Sequence, residues 1–345
     1  MRLVTIRPGA DGAGRASGQH VAVVLESGRI VTLGSLAEIS PTDLPREFGR
    51  LDLAGLLEWD AELGAIRQAL ELADSKAVEA ASIDPASIRL AAPIPRPGKI
   101  VGIGYNYLEH VREQGRERAA RPVLFSMFAN AVVGDGTPIR KPAGTHALDL
   151  EAELAVVIGK RASRVSPERA MQHVAGYMAA NDVTARDWQG QAKALRPGEQ
   201  GDGQWLRAKG SDTFLPLGPC LVTADELGDG RRLAVRSWRT AAAGPDAGRP
   251  FQMQDGNTAD LLFGVAELIA IVSAEVTLDP GDVIVTGTPS GVGVFREPQI
   301  FLEPGDLVRV EVERIGSLTS PITDEDGTAP AGSPAARYLE TAGRP

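Results

Sequence analysis

The stretch LDLEAELAVVIG, residues 148–159, constrains the fold of this chain more than any other. Val156, Val157 and Ile158 follow one another without a polar break, the pattern of a strand covered on both faces. Yet the same strand opens with Glu151 and Glu153, which lie two apart and therefore point to one side. Two negative charges aimed at one spot beside a core call for a physical reason. Spacing alone leaves two open: a strand start at the rim of a sheet with both side chains in water, or a cation site.

The rest of the chain reads as β-rich. KIVGIG, HVAGYMAAND, GPCLVTADE, LAVRSW, DVIVTG and LVRVEVERIG are short apolar or alternating runs separated by Gly, Pro and Asp. ADLLFGVAELIAIVSA is the one long amphipathic helix expected in this region, with Pro280–Gly281 marking the turn into the next strand. Ahead of it all lie RLVTIR and HVAVVLESGRIVTLG, read as strands. DLAGLLEWDAELGAIRQALELADSKA then has helical spacing, offering Leu56, Leu57, Leu63, Ile66 and Leu70 to one side. Pro93, Pro95 and Pro97 mark a boundary, so the expected organisation is a small N-terminal α+β domain (1–95), a catalytic domain (96–325) and a flexible tail (326–345). Residues 190–204 and 239–254 read as surface insertions.

At 345 residues the chain can bury a large core. A net charge of −9 without a Lys/Arg cluster argues against a nucleic-acid partner. No apolar run is long enough to span a bilayer, and the opening residues lack a signal-peptide core, so no membrane partner and a cytoplasmic location are expected. The single cysteine, Cys220, rules out an intrachain disulfide and reads as a small buried residue.

Further polar groups stand out. Asp182 follows a second apolar strand, and with Glu151 and Glu153 it makes three carboxylates at two strand ends, an all-oxygen set suited to Mg²⁺, Mn²⁺ or Ca²⁺. In NYLEHVREQG, Asn106 and Glu109 form a capping-box pattern and Gly115 a stop. His110 and Glu113 then share a face at i and i+3, where a carboxylate orients an imidazole, or else they are an incidental surface pair. Lys209, in QWLRAKGSDTF, is by spacing either a surface lysine or a functional one. VIVTGTPSGVG carries loop hydroxyls and amides but no phosphate-loop lysine.

In their order along the chain these stretches resemble the fumarylacetoacetate hydrolase family, from about Lys99 to Asp324. The motifs carrying the resemblance are KIVGIGYNYLEHVREQG, LDLEAELAVVIGKRA, AGYMAANDVTARDWQ, QWLRAKGSDTFLPLGP, DGNTADLLFGVAELI and LDPGDVIVTGTPSGVG. The resemblance implies a mixed β-sandwich roll behind a small N-terminal domain, a homodimer, and bound Mg²⁺ or a similar cation. It makes Glu151, Glu153 and Asp182 the metal ligands, His110 the general base held by Glu113, and Lys209 the charge facing a developing enolate. Arg186, Gln189 and Thr288 fall where the family holds its substrate. The activity it implies is metal-dependent hydrolysis of a C–C bond in an acylpyruvate-like β-diketo acid, as in aromatic catabolism. Decarboxylases, isomerases and hydratases of 2-oxo acids share such a site, and a non-catalytic metal-binding relative is the reading from another class.

Overall fold

The computed structural model describes residues 1–7, 19–42 and 44–342. Its centre is an eleven-stranded sheet. The main path runs Ile30–Thr32, His20–Val24, Arg2–Arg7, Leu215–Thr223, Val174–Asn181, Ala152–Ile158, Val283–Val285, Ile100–Gly104 and Val123–Met127. A second sheet of five strands, Pro250–Asn257, Ala234–Thr240, Leu307–Val312, Gly316–Thr323 and Ile139–Arg140, covers one face of it. The fold is α+β with mixed sheets, as the family resemblance implied.

The central strand shows why its sequence is apolar throughout. Every residue of Ala152–Ile158 is buried. Ala152, Leu154, Val156 and Ile158 join one cluster with Val235, Val310, Val312 and Leu318 of the second sheet and Leu268, Ile269 and Val272 of the long helix. Ala155 and Val157 point to the other cluster, which contains Leu33, Leu36, Leu53, Leu56 and Ile66 from the N-terminal helices. Each such Leu or Val contributes about 1.5–3 kcal/mol by leaving water, so neither layer is dispensable.

The sequence expectation and the structure part company in several places. Described elements of the first ninety residues share this core: Arg2 and Leu3 pair with Val222 and Leu221, and Thr5, Ile6 and Arg7 pair with the Arg89–Ala91 strand. The helical stretch after residue 52 is broken into Leu53–Trp59, Gly64–Leu72 and Ser75–Ala80. Asp60 breaks it, its side chain accepting from the amides of Glu62 and Ala65, while Leu63 takes a left-handed backbone. The long helix is shorter than expected, Val265–Ser273, because Gly264 caps it with Glu267. The tail expected to be flexible forms a helix, Pro334–Ala342, whose Ala335 is fully buried and donates its amide to Gly305. Residues 343–345 of that tail lie outside the described ones. No helix among the described residues is long and apolar enough to cross a membrane.

Candidate active site

Strand register builds the acidic cluster. The antiparallel pairing sets Ala152 opposite Asn181, so Glu151 and Asp182 stand side by side just beyond the ladder, with the Asp182 amide donating to the Glu151 carbonyl at 2.9 Å. Glu151, Glu153 and Asp182 each offer an oxygen within 4.8 Å of the others, and all three are buried. The carboxylates therefore do not sit in water at a sheet rim.

Two buried cations answer them. Lys209 ends a short helix, Trp205–Lys209, and its Nζ donates to Glu151 Oε2 at 2.8 Å, Asp182 Oδ2 at 2.7 Å and Thr184 Oγ1 at 2.8 Å. Arg186 bonds Asp149 through Nε at 2.9 Å and Glu151 through Nη1 at 2.7 Å. Its Nη1 also reaches Gln189 Oε1 at 3.2 Å. Lys209 is thus no surface lysine. Arg186, expected to hold substrate, divides its guanidinium between Asp149 and Glu151. Among the described residues its buried Nη2 has no hydrogen-bond partner, which makes it the nitrogen left for a ligand.

Titration follows from this geometry. Burial raises Glu151, but the Lys209 and Arg186 charges outweigh it and hold the carboxyl at about 2. Glu153 lies well above the usual range, through burial first and then the charges of Asp182 and Glu151. Burial pushes Asp182 up to about 7 against the pull of Lys209. With all four buried carboxylates ionised, Asp149 included, Lys209 and Arg186 would leave two negative charges over, a surplus that the raised Glu153 and Asp182 relieve by holding protons and that a divalent cation would relieve instead. Asp182 Oδ1 is moreover buried with no hydrogen-bond partner among the described residues. A divalent, oxygen-seeking cation fits this donor set in charge, in ligand type and in the orphaned oxygen.

Beside the cluster stands the dyad. His110 lies in the Leu108–Glu113 helix, buried, with Nδ1 2.5 Å from Glu113 Oε1. Glu113 is fixed in turn by the Gly291 amide on Oε2 at 3.0 Å, so the TGTPSGVG loop orients the pair. Asn106 does not cap this helix: it is buried, donates to the carbonyls of Phe263 and Thr286, and accepts from the Phe263 amide. Tyr107 is the N-cap residue, and Asn106 joins three segments behind the site.

Glu151, Glu153, His110, Lys209, Arg186, Gln189 and Thr288 all line a single cavity of about 240 Å³. Thr288 has little to offer a ligand, because its Oγ1 donates to the Ala152 carbonyl and accepts from Gln254 Nε2. Of the two surface insertions, the first contributes Gly190, Gln191 and Ala192 to the cavity wall. The second is the turn of a hairpin, 241–249, with the ends of its paired strands Ala234–Thr240 and Pro250–Asn257, and its Gln254 is buried, tying Ala152 to Thr288 and Pro289. Asp149 was missed in sequence, although it precedes Glu151 by two, the same spacing that separates Glu151 from Glu153. It accepts from Arg186 and from the Gly293 and Val294 amides. Cys220 is buried away from the cavity and its thiol is pushed up to about 11 by burial.

The sequence model described as fumarylacetoacetate (FAA) hydrolase C-terminal matches residues 99–323, the segment that carries every one of these groups. The chain belongs to the fumarylacetoacetate hydrolase family. Within that family it is 39% identical over 322 residues to the Bos taurus protein named oxaloacetate tautomerase FAHD2A, mitochondrial, covering 93% of this chain and 91% of that one. Among solved structures, the 5-carboxymethyl-2-hydroxymuconate delta-isomerase of Mycobacterium smegmatis superposes with a TM-score of 0.64 at 31% identity, covering 94% of this chain and 99% of that one. The fumarylacetoacetate hydrolase of Exiguobacterium antarcticum gives 0.69 at 30%, with the same coverages. Family membership thus makes the chain an enzyme, while its similar proteins divide between isomerases and hydrolases.

Proposed function

We propose that this enzyme interconverts the enol and keto forms of a small 2-oxo acid of the oxaloacetate type, with a divalent cation as cofactor. The supporting observation is that His110, held by Glu113, lines the same cavity as Glu151, Glu153 and Lys209. Similarity to a named oxaloacetate tautomerase along almost the whole chain favours tautomerisation among the reactions such a site can run.

Glu151, Glu153 and Asp182 would hold the cation, which when bound acts as a Lewis acid on the 2-oxo acid end of the substrate. The proton belongs to the chain. Glu113 takes the Nδ1–H of His110, leaving Nε2 as the basic nitrogen. Nε2 accepts the proton of the enol hydroxyl, and Glu113 steadies the imidazolium that forms. The same Nε2–H then delivers its proton to C3 as the C2–O bond becomes a carbonyl, so one base serves both half-steps and no atom is lost. Lys209, fully buried, keeps positive charge beside the oxygen on which negative charge develops. Arg186 holds Glu151 still meanwhile.

A second reading is hydrolysis of an acylpyruvate, favoured by the Gly291 amide that fixes Glu113, since a rigid dyad also suits water activation. His110 would then deprotonate water for attack on the distal carbonyl. The two readings separate in one assay series with Mg²⁺: decay of enol oxaloacetate followed by ultraviolet absorbance, and loss of acetylpyruvate followed by its cleavage products. Accelerated ketonisation, abolished by EDTA and reduced by about 10²–10⁴ in His110→Ala, is the expected outcome. Cleavage of acetylpyruvate without any effect on enol oxaloacetate would reverse the order of the readings.

A further inference from the structure

Among the described residues three Lys and Arg side chains line the cavity beside His110, and two are already engaged with carboxylates: Lys209 with Glu151 and Asp182, Arg186 with Asp149 and Glu151. Arg116 is the third. Among the described residues its guanidinium forms no ion pair and no hydrogen bond; it lies 4.9 Å over the ring of Tyr105. This cation–π contact uses no N–H group as a hydrogen-bond donor, so the exposed guanidinium keeps its N–H edge available to meet a carboxylate two-pronged.

Its placement is tied to the chemistry. Gly115, with φ +65°, ends the helix that carries His110, and the Arg116 amide closes back onto the Val111 carbonyl at 3.1 Å. Tyr105 has a left-handed backbone, φ 60°, an uncommon state for a large side chain, and its ring lines the cavity. Trp205 meets that ring edge-on at 5.9 Å and Phe125 at 5.2 Å, forming an apolar wall between Arg116 and the end of the cavity where Glu151 and Lys209 lie. A ligand in this space meets cation-binding carboxylates at one end, hydrocarbon along its length and an uncommitted guanidinium in the wall.

We propose that Arg116 receives the distal carboxylate of a 2-oxo dicarboxylic acid and so makes the site select diacids over 2-oxo monoacids. The proposal rests on the tautomerase reading for the near end of the substrate, and it names the chemistry of the far end. Arg116 is a specificity residue here: the proton moves through His110.

The test compares L-malate and L-lactate, unreactive 2-hydroxy acids that differ in the distal carboxylate, by calorimetry on the Mg²⁺-loaded protein. Arg116→Met keeps a hydrocarbon stem over Tyr105 and removes the charge; Arg116→Lys keeps the charge and loses the fork. Wild type should prefer malate, and R116M should lose about tenfold in malate affinity with lactate unchanged, R116K falling between. In turnover R116M should raise KM for oxaloacetate by about tenfold with kcat within about twofold, the pattern of a lost binding contact. A purely structural role for the stack would instead lower both ligands' affinities together. That result, or a wild type that binds malate no better than lactate, overturns the proposal. If oxaloacetate is not ketonised by wild type yet malate binding still depends on Arg116, the tautomerase reading fails and the diacid site stands.

Discussion

Lys209→Met removes the charge that two buried carboxylates share. Methionine keeps most of the stem's volume and deletes three hydrogen bonds of 2.7–2.8 Å, to Glu151, Asp182 and Thr184. Asp149, Glu151, Glu153 and Asp182 then face Arg186 alone. Removing one partner of a buried ion pair costs about 3–5 kcal/mol, and here two carboxylates lose theirs, so in chelator the loss should sit at the upper end of that range. A divalent cation between the same oxygens supplies the missing charge. Mg²⁺ should therefore recover part of the loss, and the variant should bind it more tightly than wild type because a like-charged neighbour has gone. Urea unfolding midpoints in EDTA and across a Mg²⁺ series measure both effects. Wild-type stability of the variant in EDTA, or a Mg²⁺ gain no larger than wild type's, would refute the charge balance drawn for this cluster.

Protons should compete with the cation. Burial pushes Asp182 up to about 7, so Mg²⁺ affinity measured by calorimetry should rise as pH climbs through about 7. In chelator the sign reverses: the folded state binds this proton more tightly than the unfolded chain, whose carboxyl titrates near its ordinary 3.8, so the Asp182 contribution to stability falls as pH rises from about 4 to about 7. A pH-independent Mg²⁺ affinity over that interval would mean that the cation binds elsewhere. Gly291→Ala should disturb the dyad without touching a cation ligand: the position has φ +101°, and an added Cβ would lie 2.3 Å from the Met253 carbonyl. Displacing the amide that holds Glu113 should lower kcat by up to about a hundredfold while leaving Mg²⁺ affinity unchanged, a split visible in parallel kinetics and calorimetry.

The local periodicities carried much of the site. Alternation placed Glu151 and Glu153 on one face, and helical spacing paired His110 with Glu113. The same two-residue rule reaches back to Asp149, which went unrecognised because a lone acid before a strand carries no sign of the arginine it will hold. Asn106 misled for a related reason: its position matches a cap, yet Phe263 and Thr286, far along the chain, claim its side chain. The tail helix and the shared N-terminal sheet were illegible because composition reports neither what a surface will pack against nor which strand it will pair with.

By itself, the sequence determined which segments are strands, which carboxylates share a face, and, through the order of its motifs, the family. Those are properties of short range, set by backbone geometry within a few residues. Only the tertiary structure decided that Asp182 joins Glu151 through strand register, that Lys209 and Arg186 are buried counter-charges, and that Arg116 is left unpaired in the cavity wall. The first two depend on residues tens of positions apart meeting in a dry interior, where an ionic partner is worth kilocalories, and the third on the fold placing an exposed arginine at the mouth of the same cavity.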